Sequence, residues 1–433
     1  MLSILVVAPV DRTPYQEMGF YEEMDARLDS LDVNYFTEDS EDSLKVGYAR
    51  ISLTPSDTIP LAGYGARDPM VFDRILDSVF VRTVVLKSGE RKVAVLAADL
   101  LIIHPEIDRR FTELIAEFGW ERAQVFFSAT HSHSSIGGWA EGISSTFFSG
   151  TYDPEVVEFI AKAMVQSLLK ADQMELPADM AFVSTELGDL VKNRLHSGGL
   201  EDKWMRNVFL QTDSGRISIS AFAAHATCFS HRSRALTGDF PSYFHDFLRQ
   251  DSSNLFSLYM AGAVGSMGPE GPGRNQEKAI HIGSTMAEQL RLLTLFGIKG
   301  EAAVSLDYLR LTVPVRSPQL KVAKNLKIRP WLFTSLLGEY GVEIAVLKLN
   351  NIVIVGMPSD FSGELALPLY DYAEELGFDL IITSFNGDYM GYVTKDEWYD
   401  LEKYETRTMN WYGPDSGAYF TEIVIRILNT LNT

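Results

Sequence analysis

The sequence predicts an α/β fold in which mixed β-sheets are flanked by helices and the active site gathers at the C-terminal ends of strands. Three observations carry this. First, a two-run pattern recurs: VVLKSGERKVAVLAAD (84–99), VFLQTDSGRISISAFAAH (208–225) and IAVLKLNNIVIVGMPSD (344–360) each hold two β-rich apolar runs. Short polar turns at Ser88-Gly89, Asp213-Ser214-Gly215 and Asn350-Asn351 join them, so each reads as a β-hairpin. Second, the runs are continuously apolar, as in strands covered on both faces. Third, apolar residues recur with helical spacing at 105–118, 154–171, 276–295, 362–376 and 416–431. Asp153-Pro154 gives one of these helices an N-cap followed by proline at the first helical position.

Length and composition bound the function. A chain of 433 residues makes one large domain or two ordinary ones. With 46% hydrophobic and 22% charged residues, global disorder and a fibrous repeat are excluded. The 38 basic residues against 58 acidic ones give a net charge of −20, which repels phosphate backbones, so no nucleic-acid partner is expected. Cys228 is the single cysteine, which excludes an internal disulfide framework and a thiolate metal cluster. Any bound metal must therefore be held by His, Asp, Glu or Tyr.

No stretch reaches the roughly 18–20 apolar residues of a membrane span. Leu2–Val10 (LSILVVAPV) is apolar but short, and no Lys or Arg precedes it. It reads either as a first buried strand or as the stump of a longer anchor or signal. Residues 11–45 are polar, and 37–43 (TEDSEDS) is an acidic run expected to be a solvated linker. The expected organisation is an N-terminal segment and acidic linker over 1–45, followed by a single domain over 46–433.

The chemically unusual residues cluster at strand ends. QVFFSATHSHSS (124–135) ends in Thr130-His131-Ser132-His133, SISAFAAHATCFSH (218–231) delivers His225, and NIVIVGMPSD (351–360) delivers Asp360. LFSLYMAGAVGSMGP (255–269) runs into a Gly-rich turn, and LIITSFNGDYMGY (380–392) into a loop with Tyr389 and Tyr392. Ligands of open α/β sheets bind beyond strand C-termini. In an extended segment, residues i and i+2 point to the same side, so His131 and His133 can present two imidazoles to one site; the alternative is two exposed loop histidines. Gly137-Gly138 fits a tight turn or close backbone approach beside them. His225 is a ligand or a hydrogen-bonded core histidine. Asp360 is a ligand or an ordinary N-cap of the helix that follows. Tyr392 and Tyr404 are site or packing residues, and Asn193-Arg194 a site or a surface turn. Ser266, in GAVGSMGP (262–269), lacks a full G-x-S-x-G because Val264 stands at the first glycine position, so a Ser–His–Asp hydrolase is the weaker reading.

Taken together, these residues resemble the neutral/alkaline non-lysosomal ceramidase family over roughly 46–430. GYARISLTP (47–55) and LAGYG (61–65) are similar to its opening segments, and Asp73 with FVRTVVL (80–86) to its next strand. THSHSSIGG (130–138) resembles T-H-T-H-S-G-x-G-G, Asn193-Arg194 the N-x-N-R-S turn, FAAHAT (222–227) F-x-x-H-P-T, and GYVTKDEWYDLEKYE (391–405) Y-x-T-x-x-E-Y…R-Y-E. The resemblance implies a catalytic Zn²⁺ held by His131, His225, Asp360 and Tyr392. It implies that His133, Arg194 and Tyr404 hold the substrate and its developing oxyanion. It also implies a deep apolar pocket, with Trp139, Phe147 and Phe148 either lining its mouth or packing a surface loop.

Three departures shape the expectation. Asp360 stands where the family has a glutamate and is one methylene shorter, so the backbone must come closer or the metal must shift; Glu364, four residues on, competes. The serine of the family's G-x-x-S-P turn falls on Gly268, and Ser266 substitutes only if the loop re-registers, so a metal-activated water is the more economical nucleophile. There is no room for the smaller C-terminal β domain that such ceramidases carry, which is associated with substrate access at a membrane. The expected function is a zinc-dependent hydrolase cleaving an N-acyl amide bond of a ceramide-like lipid. The alternatives are a metal-dependent hydrolase of a different ester, lactone or non-lipid amide, and a catalytically inactive lipid- or carbohydrate-binding homologue. Partners are a small-molecule or lipid amide substrate and a membrane surface, and the resemblance implies an extracytoplasmic location.

Overall fold

The computed structural model describes residues 5–31, 42–68, 70–142, 148–295, 297–338 and 340–432. The chain opens with β1 (Val7–Pro9) and α1 (Gly19–Asp29). A first unit follows: β2 (Lys45–Ser52), β3 (Phe80–Ser88), β4 (Arg91–Ala98), α2 (Pro105–Ala116), β5 (Val125–Ala129) and α3 (Pro154–Asp172). A second holds β6 (Asp179–Glu186), β7 (Val191–Asn193), β8 (Trp204–Thr212), β9 (Gly215–Phe222), α4 (Phe240–Leu248), β10 (Asn254–Ala261), β11 (Met267–Pro269) and α5 (Gln276–Thr294). A third holds β12 (Leu306–Thr312), β13 (Leu326–Ile328), α6 (Pro330–Leu337), β14 (Glu343–Leu349), β15 (Ile352–Met357), β16 (Asp360–Phe361), α7 (Gly363–Glu375), β17 (Asp379–Ser384), β18 (Tyr392–Val393) and α8 (Ser416–Leu431).

The recurring hairpin of the sequence is the centre of a larger repeat. In each unit a strand pairs antiparallel with the first hairpin strand, and a helix then carries the chain across to a fourth strand parallel to the second hairpin strand. The sheet orders are β2-β3-β4-β5, β6-β8-β9-β10 and β12-β14-β15-β17. The hairpin turns take the left-handed backbone that short polar residues tolerate, at Gly89 (φ 54°) and Asn350 (φ 53°). The five expected helices are present within two residues of their expected ends. Among the described residues three further helices, α1, α4 and α6, were not expected; α4 and α6 span only 9 and 8 residues, too few turns for a clear period.

Alternate residues of each strand enter different apolar clusters, so the sheets are covered on both faces as their continuous apolar runs require. Val84, Leu86, Val208, Leu210, Leu347 and Leu349 share one cluster, drawn from all three sheets. Their neighbours Val85, Val346 and Val353 face a second, and Phe209 and Phe222 a third. The N-terminal part packs onto this body. β1 pairs antiparallel with β13 and is partly exposed, so Val7–Pro9 is an edge strand and not a buried one. Met24 and Leu28 of α1 are buried, and Arg426 of α8 bonds Asp25 and Asp29. Most of the acidic run, 37–41, lies outside the described residues. No helix among the described residues is long and apolar enough to cross a membrane.

One close approach positions the site. A Cβ at Gly265 would lie 2.4 Å from the carbonyl oxygen of Asp360, so the backbone of β16 rests directly on this glycine. Gly265→Ala is expected to lower stability by about 1–3 kcal/mol through overpacking; an unchanged denaturation midpoint would show that the contact relaxes freely.

Candidate functional site

The three sheets deliver their unusual side chains to one place. His131 follows β5, His225 follows β9, and Asp360 opens β16 just beyond β15. The parallel pairing of β16 with β18 sets Asp360 beside Tyr392. His131 Nε2 and His225 Nε2 lie 3.3 and 3.0 Å from the same oxygen, Asp360 Oδ1. His133 Nε2 is 3.0 Å from His131 Nε2, and the Tyr392 hydroxyl is 2.9 Å from His225 Nε2. All of these residues but His133, which is half-buried, are buried.

The route taken by the H-x-H segment differs from the extended one expected. His131 has φ 59°, so the backbone turns through the left-handed region, and the two rings meet edge to face at 4.6 Å between centroids. Such a conformation is costly for a residue with a Cβ and persists only when its surroundings over-determine it. Here the ring of His131 stacks on Phe385 at 4.1 Å, itself at φ 67°. Arg67 donates to the carbonyl of His133 (2.8 Å) and to Ser134 Oγ (3.2 Å), fixing the loop from behind. A Cβ at Gly63 would lie 2.5 Å from His133 Cα, and φ at Gly63 is +112°, so glycine is required there twice over.

Hydrogen bonds fix which ring nitrogen is free. Each Nδ1 faces a backbone carbonyl: Leu101 for His131 (2.7 Å), Gly63 for His133 (2.9 Å), Val264 and Met267 for His225 (2.7 and 3.0 Å). A carbonyl only accepts, so each Nδ1 carries a proton, and a ring with that proton alone turns the lone pair of Nε2 inward. Burial, followed by the neighbouring cations, pushes His225 down to about 3 and His133 well below the ordinary imidazole range. Burial opposes the charge of Asp360, yet His131 and His225 beside it keep its carboxyl well below the usual range. Among the described residues Asp360 Oδ1 has no hydrogen-bond partner although fully buried, while Oδ2 accepts from Tyr389 at 2.7 Å.

Three lone pairs and an unpartnered carboxylate oxygen thus face one another, an arrangement that calls for a cation. The Nε2 atoms of the three histidines can hold a metal ion as a group. Donor atoms about 2.0–2.1 Å from a tetrahedral zinc stand about 3.3 Å apart, close to the separations here. The donor set of nitrogen and oxygen atoms therefore fits a metal of the zinc class.

Around the cluster, Arg194 Nη2 donates to the Tyr392 hydroxyl at 3.0 Å and lies 3.0 Å from His225 Nε2, while its Nε is 3.1 Å from Glu405. Tyr404 meets Tyr392 edge-on at 6.0 Å and is 57% exposed. Surrounding protein, then the charge of Asp360, push its phenol up to about 12, so it keeps its proton at neutral pH. Above these lies a cavity of about 50 Å³, lined by Gly63, Leu101, Ile102, His131, His133, Phe148, Tyr389, Tyr392, Tyr404, Met409 and Trp411. It is apolar as expected, but at this volume it is not deep.

Several expectations are corrected. Asp360 is not an N-cap: α7 begins after Ser362, and the Asp360 side chain turns to the histidines. Glu364 does not compete for the cluster, because it is bonded to Asn193 and Ser266 on its own side of the turn. Trp139 is fully buried, donates to the carbonyl of Ile136 (2.8 Å) and does not line the pocket. Phe148 does line it, and Phe147 lies outside the described residues. Sequence reading named Tyr389 at a strand end without a role, and missed Phe385, Arg67, Gly63 and Glu405 as supports. Gly63 stands in LAGYG and Glu405 in the segment ending at 405, both already singled out; Phe385 and Arg67 carry no local signal.

The fold and the cluster together define a layered α/β protein with a buried, metal-compatible histidine site. Residues 45–253 match the family described as neutral/alkaline non-lysosomal ceramidase, N-terminal. That match supports reading the chain as a hydrolytic enzyme, an amidohydrolase. The fold matches a neutral ceramidase from Pseudomonas aeruginosa with a TM-score of 0.77 at 16% identity, covering 90% of this chain and 75% of that one. A ceramidase solved in complex with C2 matches with a TM-score of 0.77 at 15% identity, covering 89% and 74%. No curated protein matches the sequence.

Glu364 is 1% exposed and joins the Asn193 amide to the Ser266 hydroxyl, on either side of the loop that carries Arg194. Glu364→Ala leaves both groups buried without their carboxylate and is expected to cost about 1–3 kcal/mol of stability. A denaturation midpoint equal to that of the parent would remove Glu364 from the support of this loop.

Proposed function

We propose that this protein is a zinc-dependent hydrolase of an N-acyl amide bond in a ceramide-like lipid. The observation that carries the reading is the unpartnered Asp360 Oδ1, buried among inward-facing Nε2 atoms at the base of an apolar pocket. His131, His225, Asp360 and Tyr392 would hold the zinc. The reading keeps His133 on the substrate side, with its Nε2 beside that of His131. When bound, the ion would polarise the scissile carbonyl and make water nucleophilic near neutral pH.

The chain's own residues supply the rest. Water adds to the acyl carbon, the C–N bond breaks, and the amine leaves with a proton. His133, with Nδ1 committed to Gly63, has Nε2 free to accept a proton and return it. Arg194 and the protonated Tyr404 stand ready to donate to the oxyanion that develops on the carbonyl oxygen. A serine nucleophile finds no support: Ser266 is bonded to Glu364, and position 268 is glycine. Gly268 lies against Arg194, with 3.6 Å from a would-be Cβ to Arg194 Cδ, so the hydroxyl is lacking although space for a side chain is not.

A second reading, a smaller ester, lactone or non-lipid amide as substrate, has the 50 Å³ cavity in its favour, since ligand pockets that bury a whole molecule run to about 300–1,000 Å³. In the first reading the pocket takes the amide and the chains lie across its rim, past Phe148, Met409 and Trp411. An extracytoplasmic setting and contact with a membrane surface follow from the lipid reading and belong to the proposal.

Purified protein is expected to carry one zinc per chain, to lose turnover on chelation and to regain it with zinc. His131→Ala and Asp360→Asn are expected to lower turnover by more than about 10²-fold, beyond the loss typical of outer-shell metal partners. Full activity in a metal-free sample would reject the mechanism. Parallel assays on ceramides, N-acyl amino acids and aryl esters decide the substrate: preference for ceramides supports the first reading, and preference for the esters the second.

Tyr404→Phe separates oxyanion support from metal binding. It is expected to lower kcat by about 10²-fold or more, the usual effect of one lost oxyanion donor, with zinc content unchanged. An unchanged kcat would return Tyr404 to a packing role.

A further inference from the structure

A second cavity, of about 210 Å³, shares no lining residue with the apolar pocket. It opens between β2 and β3 of the first sheet and β10 and α4 of the second. Arg50, Arg82, Arg249, His245, Asn254 and Ser257 line it. Three guanidinium groups thus meet in one hollow of a chain whose net charge is −20. Like charges do not gather without cost, and only two carboxylates answer them: Asp99 is 2.7 Å from Arg82, and Asp246 is 2.9 Å from Arg249. Arg50 has no carboxylate partner among the described residues. Its guanidinium lies over Phe80 at 4.9 Å, and that of Arg82 over the same ring at 5.1 Å.

His245 adds an independent sign. It is 5% exposed, its Nδ1 is 2.7 Å from Ser257 Oγ, and its Nε2 has no partner among the described residues. An unpartnered buried polar atom calls for an explanation. Burial, then Arg82, Arg50 and Arg249, push its proton affinity well down. An anion in the hollow would offset the same three charges.

We propose that this cavity binds a divalent tetrahedral oxyanion of the phosphate class, free or as a small phosphomonoester, with Arg50, Arg249 and His245 Nε2 as donors and Arg82 behind them. Several donors on different elements suit an acceptor with oxygens in several directions better than a planar carboxylate. At about 210 Å³ the cavity has room for such a group and for a small ester substituent. The proposal is independent of the reaction assigned to the histidine cluster.

Calorimetric titration of the intact chain with inorganic phosphate, glycerol phosphate and acetate at low ionic strength tests this. Phosphate is expected to bind saturably, at one per chain, with acetate at least about tenfold weaker. Tighter binding of glycerol phosphate than of phosphate identifies a monoester as the ligand, and the reverse order the free ion. The Arg50→Gln, Arg249→Gln double variant is expected to lose at least about tenfold in phosphate affinity with an unchanged melting midpoint. If the double variant does not fold, Arg50→Gln alone removes an exposed side chain without an ion pair and reads the same loss. No saturable phosphate binding, equal binding of acetate, or full affinity in the variant would overturn the proposal.

Discussion

The carboxylate of Asp360 is the constraint on which the site depends. A buried anion is tolerated only where charge or hydrogen bonds answer it. One oxygen is answered by the Tyr389 hydroxyl; the other meets only the Nε2 atoms of His131 and His225. Because backbone carbonyls hold the ring protons on the Nδ1 side, those nitrogens are acceptors too. Acceptors facing acceptors are stabilised by a cation among them. The hydrogen bonds that decide this come from Leu101, Val264 and Met267, each a main-chain group near a strand end, so the scaffold and not the side chains alone sets the chemistry.

That scaffold is a threefold use of one motif. Each unit is a three-stranded antiparallel ladder extended by a parallel strand through a crossover helix, which sends the second hairpin strand and the last strand out at the same end. His131, His225, Asp360 and Tyr392 all lie beyond such ends. Residues up to 261 positions apart in the chain meet because three equivalent strand termini converge over a shared apolar cluster. The site is therefore as rigid as the packing between sheets, while Arg194 and Tyr404 arrive on shorter connecting segments.

The repeat was legible in the sequence because each hairpin carries its own turn chemistry and its own continuous apolar runs. The long amphipathic helices were legible for the same local reason. The helices α4 and α6 were not: each is a short, Pro-initiated segment stabilised by tertiary packing. In the site, the residues that stood out were those whose type is unusual at a strand end. Their supports were hidden because Phe385 and Arg67 act only through contacts across the fold. The left-handed turn at His131 was hidden as well, since nothing in T-H-S-H announces a positive φ.

The short side chain of Asp360 shows how the backbone beneath a carboxylate sets its reach. Aspartate reaches one methylene less far than glutamate, so its backbone must lie nearer to the histidines it meets. Here β16 lies on Gly265 with no space even for a methyl group, and its pairing with β18 holds that position from the other side. The amide of Asp360 donates to the carbonyl of Gly391 (3.0 Å), and Gly265 donates to Phe361 (2.8 Å), so the close approach is bonded on both flanks. Glu364, which has the longer side chain, is already engaged by Asn193 and Ser266. The short residue therefore does the reaching, because the backbone beneath it has no bulk to keep it away.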